Sequence, residues 1–167
     1  MDNNLPWKII DKYFEDNPEG LVNHHIESYN DFFQDGIYKI FKEKNPIKIL
    51  KNQDPETKNF KLQASIYLGG KDGNKLYYGK PIIYDENNEH YMYPNDARLR
   101  NMTYAMSIHY DVVIDYIIED DDGNKIETTT TLEKIFLGRF PIMLMSKLCI
   151  MNGLDRNVRY NMGECRN

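Results

Sequence analysis

The sequence predicts an α+β fold in which helices come first and a mainly antiparallel sheet follows. Apolar residues up to residue 45 recur at helical spacing, whereas those between residues 47 and 85 alternate with polar residues, as in half-buried strands. Two further apolar stretches are joined by Asp-Gly at residues 122–123, a dipeptide that favours a tight β-hairpin. We therefore expect a single partial domain, with a helical segment at residues 5–45 and a β-rich, C-terminally truncated segment at residues 46–167.

Two helices are expected in the N-terminal segment. The sequence NPEG at residues 17–20 breaks the helical pattern, so a second helix should run from Leu21 towards Lys44. Gly36 is a candidate interruption of this second helix. Asn45-Pro46 should end it, because proline disfavours helical backbone in the residue that precedes it.

The first predicted strands flank a glycine-rich turn. Residues 60–68 alternate as a strand with one buried face, GGKDGN at 69–74 is a turn, and residues 75–85 form the returning strand. The glycines also invite a phosphate-loop interpretation. That interpretation is disfavoured because the GK[ST] ending is missing and the segment leads into a strand rather than a helix.

A short helix and a long hairpin are expected to follow a polar loop at residues 85–90. Pro94 should begin the helix, with Asn95 or Asp96 as its N-cap. The hairpin then has strands on both sides of the acidic turn at residues 119–124. This turn lacks the D-x-D-x-D-G spacing of a calcium loop, so we interpret it as solvated.

Charge and cysteine usage narrow the functional classes. The net charge is −5, which argues against a protein that coats nucleic acid by bulk charge. All six arginines lie beyond residue 97, where they either pair with carboxylates, lie scattered on the surface or contact a polyanion. Cys149 and Cys165 lack zinc-ligand spacing, which is consistent with a reducing compartment and predicts no metal site.

No active site is visible from residue chemistry. His24 and His25 point about 100° apart if they lie on a helix, so we expect one to face the core and the other solvent. No Ser-His-Asp set, carboxylate pair or activated cysteine can be assembled from the sequence.

The apolar run FLGRFPIMLMSKLCIMNG at residues 136–153 is expected to be core. Ser146 and Lys147 interrupt it, and it is shorter than the roughly 20 residues that span a membrane. The N-terminus has no basic stretch followed by an apolar one, so we expect neither a membrane segment nor a secretory signal.

Three segments together resemble the N-terminal part of the second-largest, β-type subunit of multisubunit DNA-directed RNA polymerases. The pattern LV-x-H-x-x-S-[FY]-N-x-F is similar to residues 21–33, and P-x-x-A-R-x-R-x-x-T-Y to residues 94–104. The pattern iGkiPIMLrSkyCiL resembles residues 137–151, although Met145 stands where the family usually has a basic residue. The last residues, NMGECRN, resemble the lead-in to a DpGGYFIInG motif, and they are most similar to polymerases of large DNA viruses.

This resemblance implies the fold and role of the protrusion region of that subunit. It implies nucleotidyl transfer by a whole assembly whose catalytic Mg²⁺ and structural Zn²⁺ are held elsewhere, so no cofactor and no catalytic residue is expected in this chain. In the family, Pro141 begins a strand edge, residues 142–145 enter the interior and residues 148–150 form a core turn. Alone, such a domain should expose an apolar patch.

The implied partners are the largest and other polymerase subunits, DNA template, nascent RNA and initiation factors. Localisation would be the nucleus, or host cytoplasm or virion for a viral protein. The residues that we expect to contact nucleic acid or a partner are Arg98, Arg100 and Lys147, although internal ion pairs are an open alternative for the two arginines. The alternative function is a free-standing α+β interaction module without catalysis.

Overall fold

The computed structural model describes residues 4–17, 19–55, 58–85, 88–120, 123–155 and 157–159. It confirms the α+β prediction, because helices occupy the N-terminal segment and a mainly antiparallel sheet follows. No helix within these ranges is long and apolar enough to cross a membrane.

The predicted N-terminal helices are present. Helix α1 spans Leu5–Asp16 and α2 spans Asn23–Asp31, and a π-helical turn at Phe32–Gly36 joins α2 to α3 at Ile37–Lys44. The interruption predicted near Gly36 is therefore confirmed as a change of helix type rather than a break. No residue of α1 is buried, so packing against the described body contributes little to holding this helix.

Helix α3 ends at the predicted position. Asn45 and Pro46 are joined by a cis peptide bond, and the chain turns directly into a strand. The Asn45 side chain donates to the Leu68 carbonyl and accepts from the Leu68 N–H, both at 2.8 Å. This pair of hydrogen bonds fixes the end of the helical segment to the sheet.

The sheet is built around its longest strands. The strands in chain order are β1 at Ile47–Gln53, β2 at Phe60–Leu68, β3 at Leu76–Tyr78, β4 at Ile82–Asp85, β5 at Asn88–Tyr91, β6 at Ala105–Glu119 and β7 at Lys125–Pro141. β1 pairs with β2, β2 with β6 and β6 with β7, all antiparallel. The predicted hairpin between β6 and β7 is confirmed.

The expectation that β2 and the following strand form a hairpin is wrong. β3 pairs with Ile108–Tyr110 of β6, next to the stretch of β6 that pairs with β2. The long β6 offers one edge to both short strands, so β3 extends the line of β2 instead of lying beside it. The glycine turn itself is confirmed, because Gly69 and Gly70 have positive φ and donate their N–H groups to the Asp111 carbonyl. β2 is partly buried along nearly its whole length rather than on one face only.

Two local predictions before β6 are corrected. The predicted polar loop contains β5, which pairs with β4 in a separate two-stranded sheet. Helix α4 spans Pro94–Leu99, and its N-cap is Tyr93 rather than Asn95 or Asp96. Asp96 lies inside the first turn, where its carboxylate accepts the Tyr93 N–H at 3.1 Å.

The main core explains only part of the C-terminal apolar run, because Phe136 and Leu137 at its start are 56% and 38% exposed. Ile142, Cys149 and Met151 are buried in one cluster that also contains Met106 and Ile108 of β6. This cluster further includes Phe33, Ile83, Met92, Ala97 and Tyr104. The prediction that all of residues 142–145 enter the interior is wrong for Leu144, which is 47% exposed, and Pro141 ends a strand instead of starting one. The run leaves β7 and turns back, so only some of its side chains point inward.

Candidate interaction surface

A cleft of about 730 Å³ lies where one end of the β6–β7 pair meets the β4–β5 hairpin and the segment after α4. We call it the hairpin cleft. Its lining comprises Lys80, Ile82, Ile83, Tyr84, Met92, Arg100, Met102, Thr103, Ala105, Ser107, Arg139 and Pro141.

Strand alternation explains why β6 and β7 contribute both to this cleft and to the core. Ser107 pairs directly with Arg139, so their side chains share one face of the sheet. The neighbouring Met106 and Ile108 point to the opposite face and are buried in the core. The same strand segment therefore packs the interior on one side and lines the cleft on the other.

A close backbone approach brings Lys80 to the cleft. Gly79 donates its N–H to the Ser107 carbonyl at 2.7 Å, and a Cβ at Gly79 would collide with Ser107 Oγ. Lys80 follows immediately, and its ammonium lies 3.3 Å from the Tyr91 hydroxyl and 5.0 Å from the centre of the Tyr91 ring. A larger residue at position 79 would displace Lys80 from this arrangement.

Arg100 is held by a carboxylate at the cleft. Its guanidinium donates two hydrogen bonds to the Asp85 carboxylate, at 2.6 and 2.9 Å. Arg100 lowers the pKa of the Asp85 carboxyl, and His90 Nε2, 3.7 Å from Asp85, lowers it further. Both side chains are about 45% exposed, so solvent screens their attraction. Because Asp85 balances its charge, Arg100 adds little net positive charge to the cleft.

The structure separates the three residues singled out from the sequence. Arg98 lies exposed on α4, does not line the hairpin cleft and forms no side-chain hydrogen bond or ion pair within the described ranges. Lys147 lines another depression, where its ammonium donates to the Gln34 side chain at 2.9 Å. The internal ion pair considered as the alternative is present for Arg100. That any of the three contacts nucleic acid or a partner stays a prediction.

Lys80 and Arg139 were not singled out by sequence reasoning. These two side chains lie at one cleft because β3, β6 and β7 lie side by side in the sheet. The local periodicity of the sequence does not predict that arrangement. The basic position in LGRF, inside a predicted strand otherwise rich in apolar residues, was the available signal for Arg139.

Other candidate chemistry is absent from the described part of the chain. No group of three His, Cys, Asp or Glu residues there is placed to hold a metal ion. His24 and His25 are both exposed, with ring centres 3.9 Å apart, so the prediction that one faces the core is wrong. Cys149 is buried beside the Tyr104 hydroxyl at 3.5 Å, and Cys165 lies outside the described residues.

Contacts far apart in the chain join the segments that carry the family resemblance. Tyr29 donates its hydroxyl to the Pro141 carbonyl at 2.8 Å, and Asn30 accepts the Lys147 N–H at 2.9 Å. Tyr104 accepts the Ile150 N–H at 3.1 Å. The three sequence patterns therefore meet in one packed unit, in which Tyr29, Asn30 and Tyr104 have structural roles.

Residues 20–167 match the family described as RNA polymerase beta subunit. The chain belongs to this family. It is 30% identical over 161 residues to DNA-directed RNA polymerase II subunit 2 of Arabidopsis thaliana, covering 95% of this chain and 13% of that protein. It is 36% identical over 146 residues to DNA-directed RNA polymerase III subunit 2 of the same plant, covering 87% of this chain and 11% of that protein.

An archaeal relative is similar to the same extent. The chain is 30% identical over 159 residues to DNA-directed RNA polymerase subunit Rpo2N of Methanothermobacter thermautotrophicus, covering 95% of this chain and 26% of that protein. The chain thus spans between about one tenth and one quarter of the length of these RNA polymerase relatives. It corresponds to the N-terminal region of the polymerase second subunit, a component of the transcription machinery.

Proposed function

We propose that this chain acts as a non-catalytic wall of a DNA-directed RNA polymerase, beside the cleft that holds template and nascent RNA. Similarity to polymerase second subunits over 95% of the chain supports this proposal most directly. The relatives are themselves polymerase subunits, so a free-standing interaction module is not favoured. The proposed location is the intracellular site of transcription, and the resemblance to viral polymerases stays a prediction.

The chemistry of RNA synthesis is proposed to reside outside this chain. Transfer of a nucleotidyl group needs metal-bound acidic residues to stabilise the in-line displacement. The described residues supply no cluster of ligands for such a metal, and we derive no catalytic step through them. Mg²⁺ and Zn²⁺ are assigned to other parts of the assembly.

Exposed apolar side chains support assembly with other polymerase parts. Trp7 on α1 is 66% exposed and Leu21, in the segment that follows α1, is 73% exposed. Soluble monomers rarely gather large apolar side chains on their surface without covering them. We propose that other polymerase subunits, the largest among them, cover this N-terminal segment.

Immunoprecipitation from cells that make the protein tests the assignment. An antibody against this chain should bring down the largest polymerase subunit together with RNA synthesis that requires added DNA template. Recovery of the chain without any polymerase subunit would reject the proposal.

A charge-reversal pair tests the predicted contacts of Arg98 and Arg100 in the assembled enzyme. Arg98→Glu with Arg100→Glu should weaken retention of promoter DNA, whereas Lys48→Glu with Lys51→Glu on the exposed strand β1 should not. Unchanged promoter binding by the first pair would remove Arg98 and Arg100 from the nucleic-acid surface.

A further inference from the structure

We propose that the hairpin cleft binds an acidic peptide segment that anchors one apolar side chain between Lys80 and Arg139. This proposal goes beyond the polymerase assignment and does not depend on it, because it concerns a surface of the chain itself.

The apolar part of the cleft suits a single side chain of a partner. Met102 is 44% exposed, and Ala105 and Pro141 are paired across β6 and β7 on the cleft face of the sheet. Methionine adapts its shape to different partners because its side chain is unbranched and polarizable. An aliphatic or aromatic side chain of a peptide would therefore find apolar contacts here that solvent does not provide.

Two cations at this cleft lack a carboxylate partner. The ion pairs of the described residues include neither Lys80 nor Arg139, and both side chains are exposed. Arg100 differs, because Asp85 already occupies its guanidinium with two hydrogen bonds. The chain as a whole has a net charge of −5, but these two unpaired cations make the cleft locally positive. The cleft should therefore attract negatively charged groups of a partner.

The balance of charge and apolar surface favours a peptide over nucleic acid. Binding to a nucleic-acid backbone draws its affinity from several phosphate contacts at once. The hairpin cleft offers two cations without a carboxylate partner, and its third cation, Arg100, is already paired with Asp85. Its lining also includes isoleucine and methionine side chains. Carboxylates on either side of one apolar residue match this pattern, since each guanidinium or ammonium would gain a charge-assisted hydrogen bond.

Binding of a defined peptide to the full 167-residue chain tests the proposal. The probe is a fluorescein-labelled peptide with one central phenylalanine flanked on both sides by aspartates, measured by fluorescence anisotropy. We expect saturable binding that falls roughly tenfold in Arg139→Ala and in Lys80→Ala, the loss expected for one charge-assisted hydrogen bond. The same peptide with asparagine in place of aspartate should lose affinity for the unmodified chain.

Matched variants separate the cleft from bulk charge. Lys48→Ala on β1 and Arg98→Ala on α4 remove the same charge outside the hairpin cleft and should leave affinity unchanged. Met102→Ser should weaken binding of this peptide but not of a version with serine in place of the phenylalanine. Circular dichroism and urea unfolding confirm that each variant remains folded.

Three results would overturn the proposal. The first is absence of binding to the unmodified chain. The second is an equal loss in the control variants, which would indicate attraction by net charge alone. The third is displacement of the peptide by a single-stranded DNA oligonucleotide that binds more tightly and depends on Arg139, which would assign the cleft to nucleic acid.

Discussion

The carboxylate of Asp111, buried in β6, accepts a hydrogen bond from the backbone N–H of Lys134 in β7 at 3.0 Å. Lys134 has a φ of +51°, and the pairing of the two strands shifts register beside Asp111. The Tyr77 hydroxyl donates to the same carboxylate at 3.1 Å, and the Lys75 ammonium lies 3.6 Å away. Asp111 thus stabilises an irregularity of the β6–β7 ladder by supplying the acceptor that the ladder itself does not.

Replacing Asp111 should destabilise the sheet. Asp111→Ala leaves the Lys134 N–H and the Tyr77 hydroxyl without this acceptor, so the midpoint of urea unfolding should fall clearly. Asp111→Asn keeps one oxygen acceptor and should cost less. Glu89→Ala, which removes an exposed carboxylate from β5, serves as the control and should leave the midpoint unchanged.

The stability of the chain should depend on Asp111 at acidic pH. The Lys134 N–H is the main cause of the lowered pKa of the Asp111 carboxyl, and the Tyr77 hydroxyl adds to it. Because the folded-state pKa lies below the ordinary value of 3.8, this carboxylate stabilises the fold above that value. Its contribution is lost as pH falls through the folded-state pKa. Urea midpoints measured across this window should therefore fall more steeply for the unmodified chain than for Asp111→Asn, and parallel curves would contradict this assignment.

Substituting Gly79 should destabilise the chain through one identified collision. The added Cβ in Gly79→Ala would collide with Ser107 Oγ, and it would lie 3.3 Å from the Ser107 carbonyl oxygen. In Gly79→Ala combined with Ser107→Ala the hydroxyl is gone, so most of the lost stability should return. Thermal unfolding of both single variants and the double variant gives the coupling between the two positions. Independent, additive effects would show that Ser107 Oγ is not the obstacle.

Removing the Arg100 guanidinium should raise the pKa of the Asp85 carboxyl towards its ordinary value of 3.8. Arg100 is the largest cause of the lowered value, because its two hydrogen bonds favour the charged carboxylate. NMR titration of the Asp85 side chain in Arg100→Ala measures the change. Arg98→Ala is the matched control, and an equal rise there would point to loss of net charge rather than of a specific pair.

Removing the Tyr104 hydroxyl should cost about 1–3 kcal/mol of unfolding free energy, because it leaves the Ile150 N–H without its acceptor. The same hydroxyl contacts the buried Cys149 thiol, and burial, followed by this contact, raises the pKa of Tyr104. Urea unfolding of Tyr104→Phe measures the cost. Tyr84→Phe, at a side chain that is 76% exposed, should change the value by no more than about 0.5 kcal/mol.

The reliable sequence predictions were those that depend on near neighbours in the chain. Helical spacing located α1 to α3, and Asp-Gly located the turn between β6 and β7, because both features are decided within a few residues. The N-cap of α4 was misplaced since several adjacent residues could serve as caps. The hairpin strand β5 was missed because its residues, Asn88–Tyr91, are mostly polar and exposed.

Features that join distant segments required the structure. The partner of β3 was predicted wrongly, because β6 is long enough to pair with both β2 and β3 along one edge. The periodicity of apolar residues does not indicate which strands pair. The burial of both faces of β2 likewise depends on what packs against it. Among the predicted site residues, Arg100 lines a cleft. Its ion pair with Asp85 could not be predicted, because it depends on the position of β4, which ends at Asp85.

The sequence by itself determined the N-terminal helices, the antiparallel β6–β7 hairpin and membership in the RNA polymerase beta subunit family. The helices and the hairpin depend on the spacing of nearby residues, and the family is recognised from short motifs. Only the tertiary structure decided that Lys80, Arg100 and Arg139 line one cleft and that Asp111 supports the strand irregularity at Lys134. Those relationships depend on strand pairing between segments far apart in the chain. The free energy of such pairing comes from the packed sheet as a whole, and no short stretch of residues specifies it.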